Sequence, residues 1–401
     1  MGPDAPAVGM PGSMAPGMTA PTALVAGAGI GGLAAAVALL RAGWRVEVME
    51  QAANARELGF ALLLAPNSIR ALRTIGLDTP VIAGGVVATS GAIRRADGRI
   101  LRRLDAARVQ AEIGLPTVMV LRPVLHGALM DAAVGATFHF GRALTRVVPG
   151  EAGVLARLAD GSTLGGDVLI AADGVRSVVR RQLHPDEGAA SETGFCAWRG
   201  VARGVTDALG GITGSQYLGR GVEAGTAQAS ADAVYWFVSV RARDLGDDSG
   251  TRAALERIIE PFHADFRRIV GATADDDLRF DRLHDRDPID TWGQGRVTLL
   301  GDAAHPMLPH AGQGAAQALE DAAELGLRLV PGRPVEAALR AYERRRTRRT
   351  RDIVRLARRN ARAGAIASPI GTAVRDLVIR AIPETVLLRT LVSLNRPSEG
   401  R

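Results

Sequence analysis

Residues 22–50 read TALVAGAGIGGLAAAVALLRAGWRVEVME, and within them Gly27, Gly29 and Gly32 form a G-x-G-x-x-G spacing. A short apolar run precedes the glycines, an alanine-rich helix follows to about Leu40, and RVEVME reads as a second strand ending on Glu50. Gly27 permits a tight turn, Gly29 lets the backbone approach a pyrophosphate, and Gly32 lets helix and strand pack closely. The free N–H groups at the helix start, with the positive end of its dipole, hold phosphates. Glu50 lies 18 residues beyond Gly32, with Gln51 next to it, where a carboxylate accepts from ribose hydroxyls. The glycine spacing alone is a weak signal. Strand, turn, helix, strand and terminal acid together point to a dinucleotide site rather than an idle turn.

Two further stretches repeat the arrangement. DVLIAADGVRSVVRRQL (167–183) sets Asp173 and Gly174 just after a buried strand, with Arg176, Ser177 and Arg180 beyond. VTLLGDAAHPMLPHAGQGAAQALEDAAELG (297–326) sets Gly301 and Asp302 after another strand. A loop stiffened by Pro306 and Pro309 follows, and Gly312, Gln313 and Gly314 open a long helix. Asp302 is positioned to bond a ribityl hydroxyl. The helix start after Gly314 points its dipole at developing negative charge, such as that on a reduced flavin ring. Each stretch alone is an ordinary strand–turn–helix; three in one chain, in this order, are not.

The elements that must carry these turns are legible in outline. With 401 residues the chain buries a large core and divides into about two domains. The alternating apolar runs at 193–203, 212–218, 226–230 and 233–241 predict a mostly antiparallel sheet. A hairpin is expected over 84–104, a helix over 121–133 that Arg122 opens, and strands near 136–148 and 153–158. Helical patterns occupy 251–270, 313–329 and 334–362, with two shorter ones between 370 and 395. No apolar run approaches 18–20 residues, so no membrane span is expected.

The net charge of +7 comes without any lysine, and with so much alanine and glycine it reads as compositional drift rather than a nucleic-acid footprint. In the arginine run 342–362 no aromatics are interleaved for base stacking, so a solvated or interdomain helix face is expected. The single cysteine, Cys196, excludes an intrachain disulfide framework and a zinc site built on cysteines; it reads as a packed residue of a cytoplasmic protein. Residues 1–20 have no basic segment followed by an apolar one and read as a disordered tail, with Met18 an alternative start.

On the three glycine–acid turns and MLPHAGQGAAQALEDAA, the chain resembles single-component FAD-dependent aromatic hydroxylases of the p-hydroxybenzoate hydroxylase superfamily, over about 22–365. Within them it is most similar to the branch of salicylate hydroxylase, 3-hydroxybenzoate 6-hydroxylase and 6-hydroxynicotinate monooxygenase. The resemblance implies an α/β fold: a Rossmann-like FAD-binding domain over 21–80, 105–185 and 286–330, with an inserted, mostly antiparallel substrate sheet over 81–104 and 186–285. Residues 331–401 form a C-terminal helical region. The implied FAD ligands are Gly27, Gly29, Gly32, Glu50, Gln51, Arg122, Asp173, Gly174, Asp302, Gly314 and Ala315. Asp173 and Gly174 also match a motif linked to NAD(P)H, and Pro309 matches a proline facing the reactive edge of the flavin. Alanine stands at Ala61 and Ala316 where the family often has glycine and asparagine.

The implied reaction is reduction of FAD by NADH or NADPH, capture of molecular oxygen as a flavin C4a-hydroperoxide, and transfer of oxygen to a small aromatic or heteroaromatic molecule. No metal, nucleic acid or stable membrane insertion is implied, and the chain is expected to be a monomer or homodimer. Tyr217, Tyr235 and Phe237 on the expected sheet, and His305 and His310 in or beside the proline loop, are candidates for base or substrate anchor. Against these stands a core role for Tyr235 and a loop-shaping role for His310. Arg199, in WRG, reads as a structural cation with carboxylate binding as its alternative. Epoxidation, Baeyer–Villiger-type insertion, reduction without oxygen transfer, and a flavin-binding partner protein remain alternatives on the same fold.

Overall fold

Strand Thr22–Ala26 is buried along its whole length, and apolar after Thr22, because it runs through the middle of a sheet covered on both faces. The computed structural model describes residues 20–54 and 60–395. Nearly all of the expected tail lies outside the described residues. Five strands run parallel in the order Val297–Leu299, Val168–Ala171, Thr22–Ala26, Arg45–Glu50 and Thr137–Phe140, and Gly293–Gln294 adds an antiparallel edge. Helices Ile30–Arg41 and Gly314–Arg328 pack side by side over this sheet. A three-stranded antiparallel sheet (Leu144–Pro149, Val154–Leu158, Thr163–Gly166) packs onto it as well.

A second, seven-stranded sheet has the order Leu278–Asp285, Ser191–Arg203, Ala233–Arg241, Val222–Gln228, Gly214–Leu218, Gly91–Arg95, Ile100–Leu104. All its pairs are antiparallel except Gly214–Leu218 with Gly91–Arg95. Successive side chains of a strand point to opposite faces. Trp198, Tyr217, Trp236 and Val238 therefore turn to helices Arg252–Ile259 and Ala264–Gly271, where Phe262 and Phe266 complete a core. Arg199, Gln216, Glu223, Tyr235, Phe237 and Ser239 turn the other way, into a cavity.

Three expected elements differ. The strand expected over 136–148 is two strands in different sheets, Thr137–Phe140 and Leu144–Pro149, broken at Gly141, where φ is +70°. The helix expected over 251–270 is interrupted beside Pro261, which lacks the N–H that a helix interior requires. The strand expected at 226–230 begins earlier, at Val222.

The helix Val335–Gly364 contains 30 residues and carries the arginine run. Arg346 is not on a solvated face. It is buried, with ion pairs to Glu320 at 2.5 Å and Asp321 at 2.6 Å. Arg358 pairs with Asp285 and Asp287. Cys196 is buried in the second sheet, as expected of a packed cysteine. Helices Pro369–Ala381 and Glu384–Asn395 close the chain. Among the described residues no helix is long and apolar enough to cross a membrane.

Candidate active site

The first glycine turn is built by close approach. Gly27 has φ of +101°, and a Cβ there would lie 2.4 Å from the carbonyl oxygen of Ala172. A Cβ on Gly32 would lie 1.9 Å from the carbonyl oxygen of Gly27, so the helix can sit on its strand only without one. Glu50 accepts the N–H of Ala28 and of Ala52, each at 2.8 Å, which pins its carboxylate beside the turn. His126 bonds the carbonyl of Ala28 at 3.0 Å from the other side.

Two helices begin at the cavity without any side-chain cap: Ile30–Arg41 behind Gly29, and Gly314–Arg328 behind Gln313. Neither has an acidic residue in its first turn. Their free N–H groups and positive dipole ends are thus left for a ligand. Asp302 is accessible within the cavity and enclosed by protein; burial raises its carboxyl pKa, with His305 and Arg122 acting against the shift. Asp173 accepts the N–H of Val178 through Oδ2 at 2.8 Å, while its buried Oδ1 has no protein partner. Burial raises its pKa too, opposed by its hydrogen bonds with Ser177 and the backbone. Nothing lies within 4 Å of a Cβ built on Gly174 or Gly314, so both leave open space beside the backbone.

The cavity encloses about 840 Å³ and brings together Gly29, Arg122, Gly174, Asp302, Pro309, Gly314 and Ala315 with Tyr235 and His310. Glu50 and Asp173 are not in the lining; Glu50 is bonded to the residue before Gly29, and Asp173 precedes Gly174 in the chain. Gly27 and Gly32 shape the turn behind it. The Gln51 side chain is exposed at the end of its strand and is not part of the lining. Tyr217 does not reach the cavity. It lies on the opposite face of the second sheet, its ring 5.0 Å from Phe266 and 6.4 Å from Phe262, because residue 216 holds the inward position on that strand. His305 is also removed from the cavity, buried and bonded to Asp321 at 2.6 Å. Arg199 lines the cavity and pairs with Asp281 at 3.6 Å, so it is neither purely structural nor unpaired.

Residues not expected from the sequence hold the proline loop and the helix behind it. Asp321 accepts the N–H of Gly301 at 3.0 Å, the ring of His305 and Nε of Arg346. Glu320 accepts from Arg346, Arg349 and Asn67. Burial pushes Glu320 up, but the two arginines prevail and hold its pKa at about 2. On the roof, Gln216, Glu223 and Ser239 stand near His310, which burial and Arg199 lower to about 4. Glu223 lies ahead of the strand expected at 226–230, so the sequence gives no signal for it.

A family described as FAD binding domain matches residues 20–357. The chain belongs to this FAD-binding family. It is 34% identical over 360 residues to aurachin C monooxygenase/isomerase of Stigmatella aurantiaca, covering 90% of this chain and 94% of that one. It is 35% identical over 341 residues to 3-amino-4-hydroxybenzoate 2-monooxygenase of Streptomyces cremeus, covering 84% and 85%. Among solved structures, Klebsiella pneumoniae HpxO complexed with FAD and uric acid superposes with a TM-score of 0.85 at 28% identity, covering 93% of this chain and 96% of that one. The chain is thus a flavoprotein monooxygenase of the single-component aromatic hydroxylase type, and the cavity residues fit FAD. The glycine cradle, the two uncapped helix starts and the unpartnered Asp173 oxygen are the features such a ligand requires.

Proposed function

We propose that this monooxygenase uses NADH or NADPH and molecular oxygen to hydroxylate an aromatic or heteroaromatic small molecule. The observation that carries the reading is one cavity, lined by the uncapped helix starts and Asp302 together with Tyr235 and Phe237 of the second sheet and His310 of the proline loop. Bound FAD would supply electron transfer from the nicotinamide and activation of oxygen; overall, ring C–H, O₂, NAD(P)H and a proton would become ring C–OH, water and NAD(P)⁺.

The chain's own residues divide the remaining work. Gly27, Gly29 and Gly32 receive the pyrophosphate and Glu50 the adenosine ribose. Arg122, Asp173 and Gly174 line the approach, and Asp302 bonds the ribityl chain. Gly314 and Ala315 would offer backbone N–H groups to the flavin ring, and Pro309 would stand beside it. Phe60, Leu62, Met119 and Phe237 give the cavity an apolar wall that keeps water from the reacting ring. Tyr235 and the neutral His310 orient the substrate.

A second reading keeps oxygen transfer and adds a rearrangement of the product skeleton. It is favoured by the relative from Stigmatella aurantiaca, whose name couples monooxygenase and isomerase. A panel of hydroxylated single- and fused-ring aromatics, screened for stimulated NADH or NADPH oxidation with product masses and fragmentation recorded, tests both readings. A product one oxygen heavier supports them; fragmentation distinguishes simple hydroxylation from rearrangement. Oxidation that no ring stimulates contradicts both.

A further inference from the structure

Helix Pro369–Ala381 is turned inside out. Its aliphatic residues Ile370, Val374, Leu377 and Val378 recur at i, i+4, i+7 and i+8, so they form one stripe along the helix. An amphipathic helix of a globular protein buries that stripe. Here it faces solvent, with Ile370 80% and Leu377 66% exposed. The charged residues face the protein instead. Arg375 donates to the carbonyls of Leu218 and Gly219 at 3.4 and 3.0 Å, and Asp376, only 8% exposed, pairs with Arg95 at 3.6 Å.

The stripe continues onto the next helix, Glu384–Asn395, where Val386 is exposed too; half of the large exposed hydrophobic residues among those described fall between 370 and 386. On its inner side the same helix presents Leu391 and Leu394 to the cavity. Arginines border the stripe. Arg380 and Arg389 are exposed on the two helices. Arg102 donates to the carbonyl of Arg380 at 3.4 Å from the hairpin over 91–104, which also carries the exposed Arg95 and Arg99. The nearby carboxylates are already engaged: Asp97 and Asp376 with Arg95, and Glu384 with Arg108 at 2.5 Å.

We propose that this face docks on the surface of an anionic lipid bilayer, with the aliphatic stripe seated at the acyl-chain boundary and the arginines on the headgroups. An aliphatic helix face rimmed by cations matches such a surface in both polarity and charge. A second copy of the chain matches it less well: a two-fold contact would lay the stripe on itself and bring the arginine border of one copy to that of the other. The attachment is peripheral. Helix Pro369–Ala381 has 13 residues, about 20 Å of length, too short for a hydrocarbon core of about 30 Å. The outward residues of the stripe and its arginine border do not line the cavity, so docking stands apart from the monooxygenase reading.

Co-sedimentation of the FAD-loaded protein with vesicles tests this without any turnover. One set of vesicles is phosphatidylcholine alone; the other is equal parts phosphatidylcholine and phosphatidylglycerol. The protein is expected to sediment with the anionic vesicles only, and added salt should release it. Ile370→Asn combined with Leu377→Asn should lower the partition constant by roughly tenfold or more. Arg380→Gln and Arg389→Gln should each lower it about fivefold. FAD content and thermal midpoint should stay at wild-type values in all three variants, because these side chains are exposed. Wild-type protein left in the supernatant with anionic vesicles overturns the proposal. So does equal binding to both vesicle sets, or wild-type partition of the Ile370→Asn and Leu377→Asn double variant. Sedimentation velocity supplies the competing outcome: a dimer that the double variant breaks, without vesicle binding, assigns the stripe to a second copy and overturns docking on lipid.

Discussion

The carboxylate of Asp321 accepts the backbone N–H of Gly301 at 3.0 Å, tying the helix Gly314–Arg328 to the turn that carries Asp302. The same carboxylate holds His305 and Arg346, so the turn, the proline loop and the long C-terminal helix meet on one buried group. Asp321→Ala leaves the Arg346 charge and the Gly301 N–H without this partner. Removing one member of a buried pair costs about 3–5 kcal/mol. Urea unfolding is expected to shift by that amount, with FAD occupancy, read from flavin absorbance per chain, falling in parallel. Wild-type values for both would contradict this role.

Glu320 gives stability a defined pH dependence. Its pKa is held at about 2, below the ordinary value of 4.5. A carboxyl depressed in the folded state stabilises above its unfolded pKa, and the contribution is lost as pH falls through the folded one. The window is therefore about pH 4.5 down to 2, and the contribution is roughly 3 kcal/mol. Denaturant midpoints measured across this window should fall more steeply in wild type than in Glu320→Gln. Parallel curves would contradict the assignment.

Asp302→Ala is expected to weaken FAD binding. A hydrogen bond to a charged group is worth about 1.5–3 kcal/mol, which is roughly a tenfold to hundredfold rise in Kd. Fluorescence titration of apoprotein with FAD measures it, and an unaltered Kd would remove Asp302 from the ribityl contact.

Gly32→Ala tests the cradle from the other side. The added methyl would meet the Gly27 carbonyl oxygen at 1.9 Å, so the helix start must move away from its strand. Purified Gly32→Ala should contain little or no FAD and unfold at lower denaturant. Full occupancy would show that the turn tolerates a side chain.

Tyr217 and Tyr235 separate the two faces of the second sheet. Tyr217→Phe is expected to leave kcat/KM unchanged and to cost stability only, about 0.5–1.5 kcal/mol for a lost hydroxyl contact. Tyr235→Phe should change KM for the ring substrate. Steady-state kinetics of the two variants decide it, and a selective loss of activity in Tyr217→Phe would reverse the assignment.

The sequence made some of this legible because local rules and global structure agree there. The spacing of Gly27, Gly29 and Gly32, and the runs before Asp173 and Asp302, encode turns whose geometry only those residues allow. Alternation also predicted the second sheet, but period two shows that a strand has two faces without showing which one meets a cavity. Tyr217 lies on the far face for that reason, and Glu223 lies ahead of the strand expected at 226–230. Arg346 was hidden differently: arginines at 344, 345, 346, 348 and 349 surround the helix, and only the packing of Glu320 and Asp321 selects which one is buried.

Oxygen transfer to a ring is the centre of the account, and isotope labelling tests it most directly. FAD-loaded protein is incubated with NADH or NADPH, heavy dioxygen (18O₂) and the aromatic panel, and products are weighed by mass spectrometry. The account predicts a ring product carrying one labelled oxygen atom, formed only with the nicotinamide present. Nicotinamide consumption with no labelled product from any ring, or product oxygen drawn from water, would contradict it.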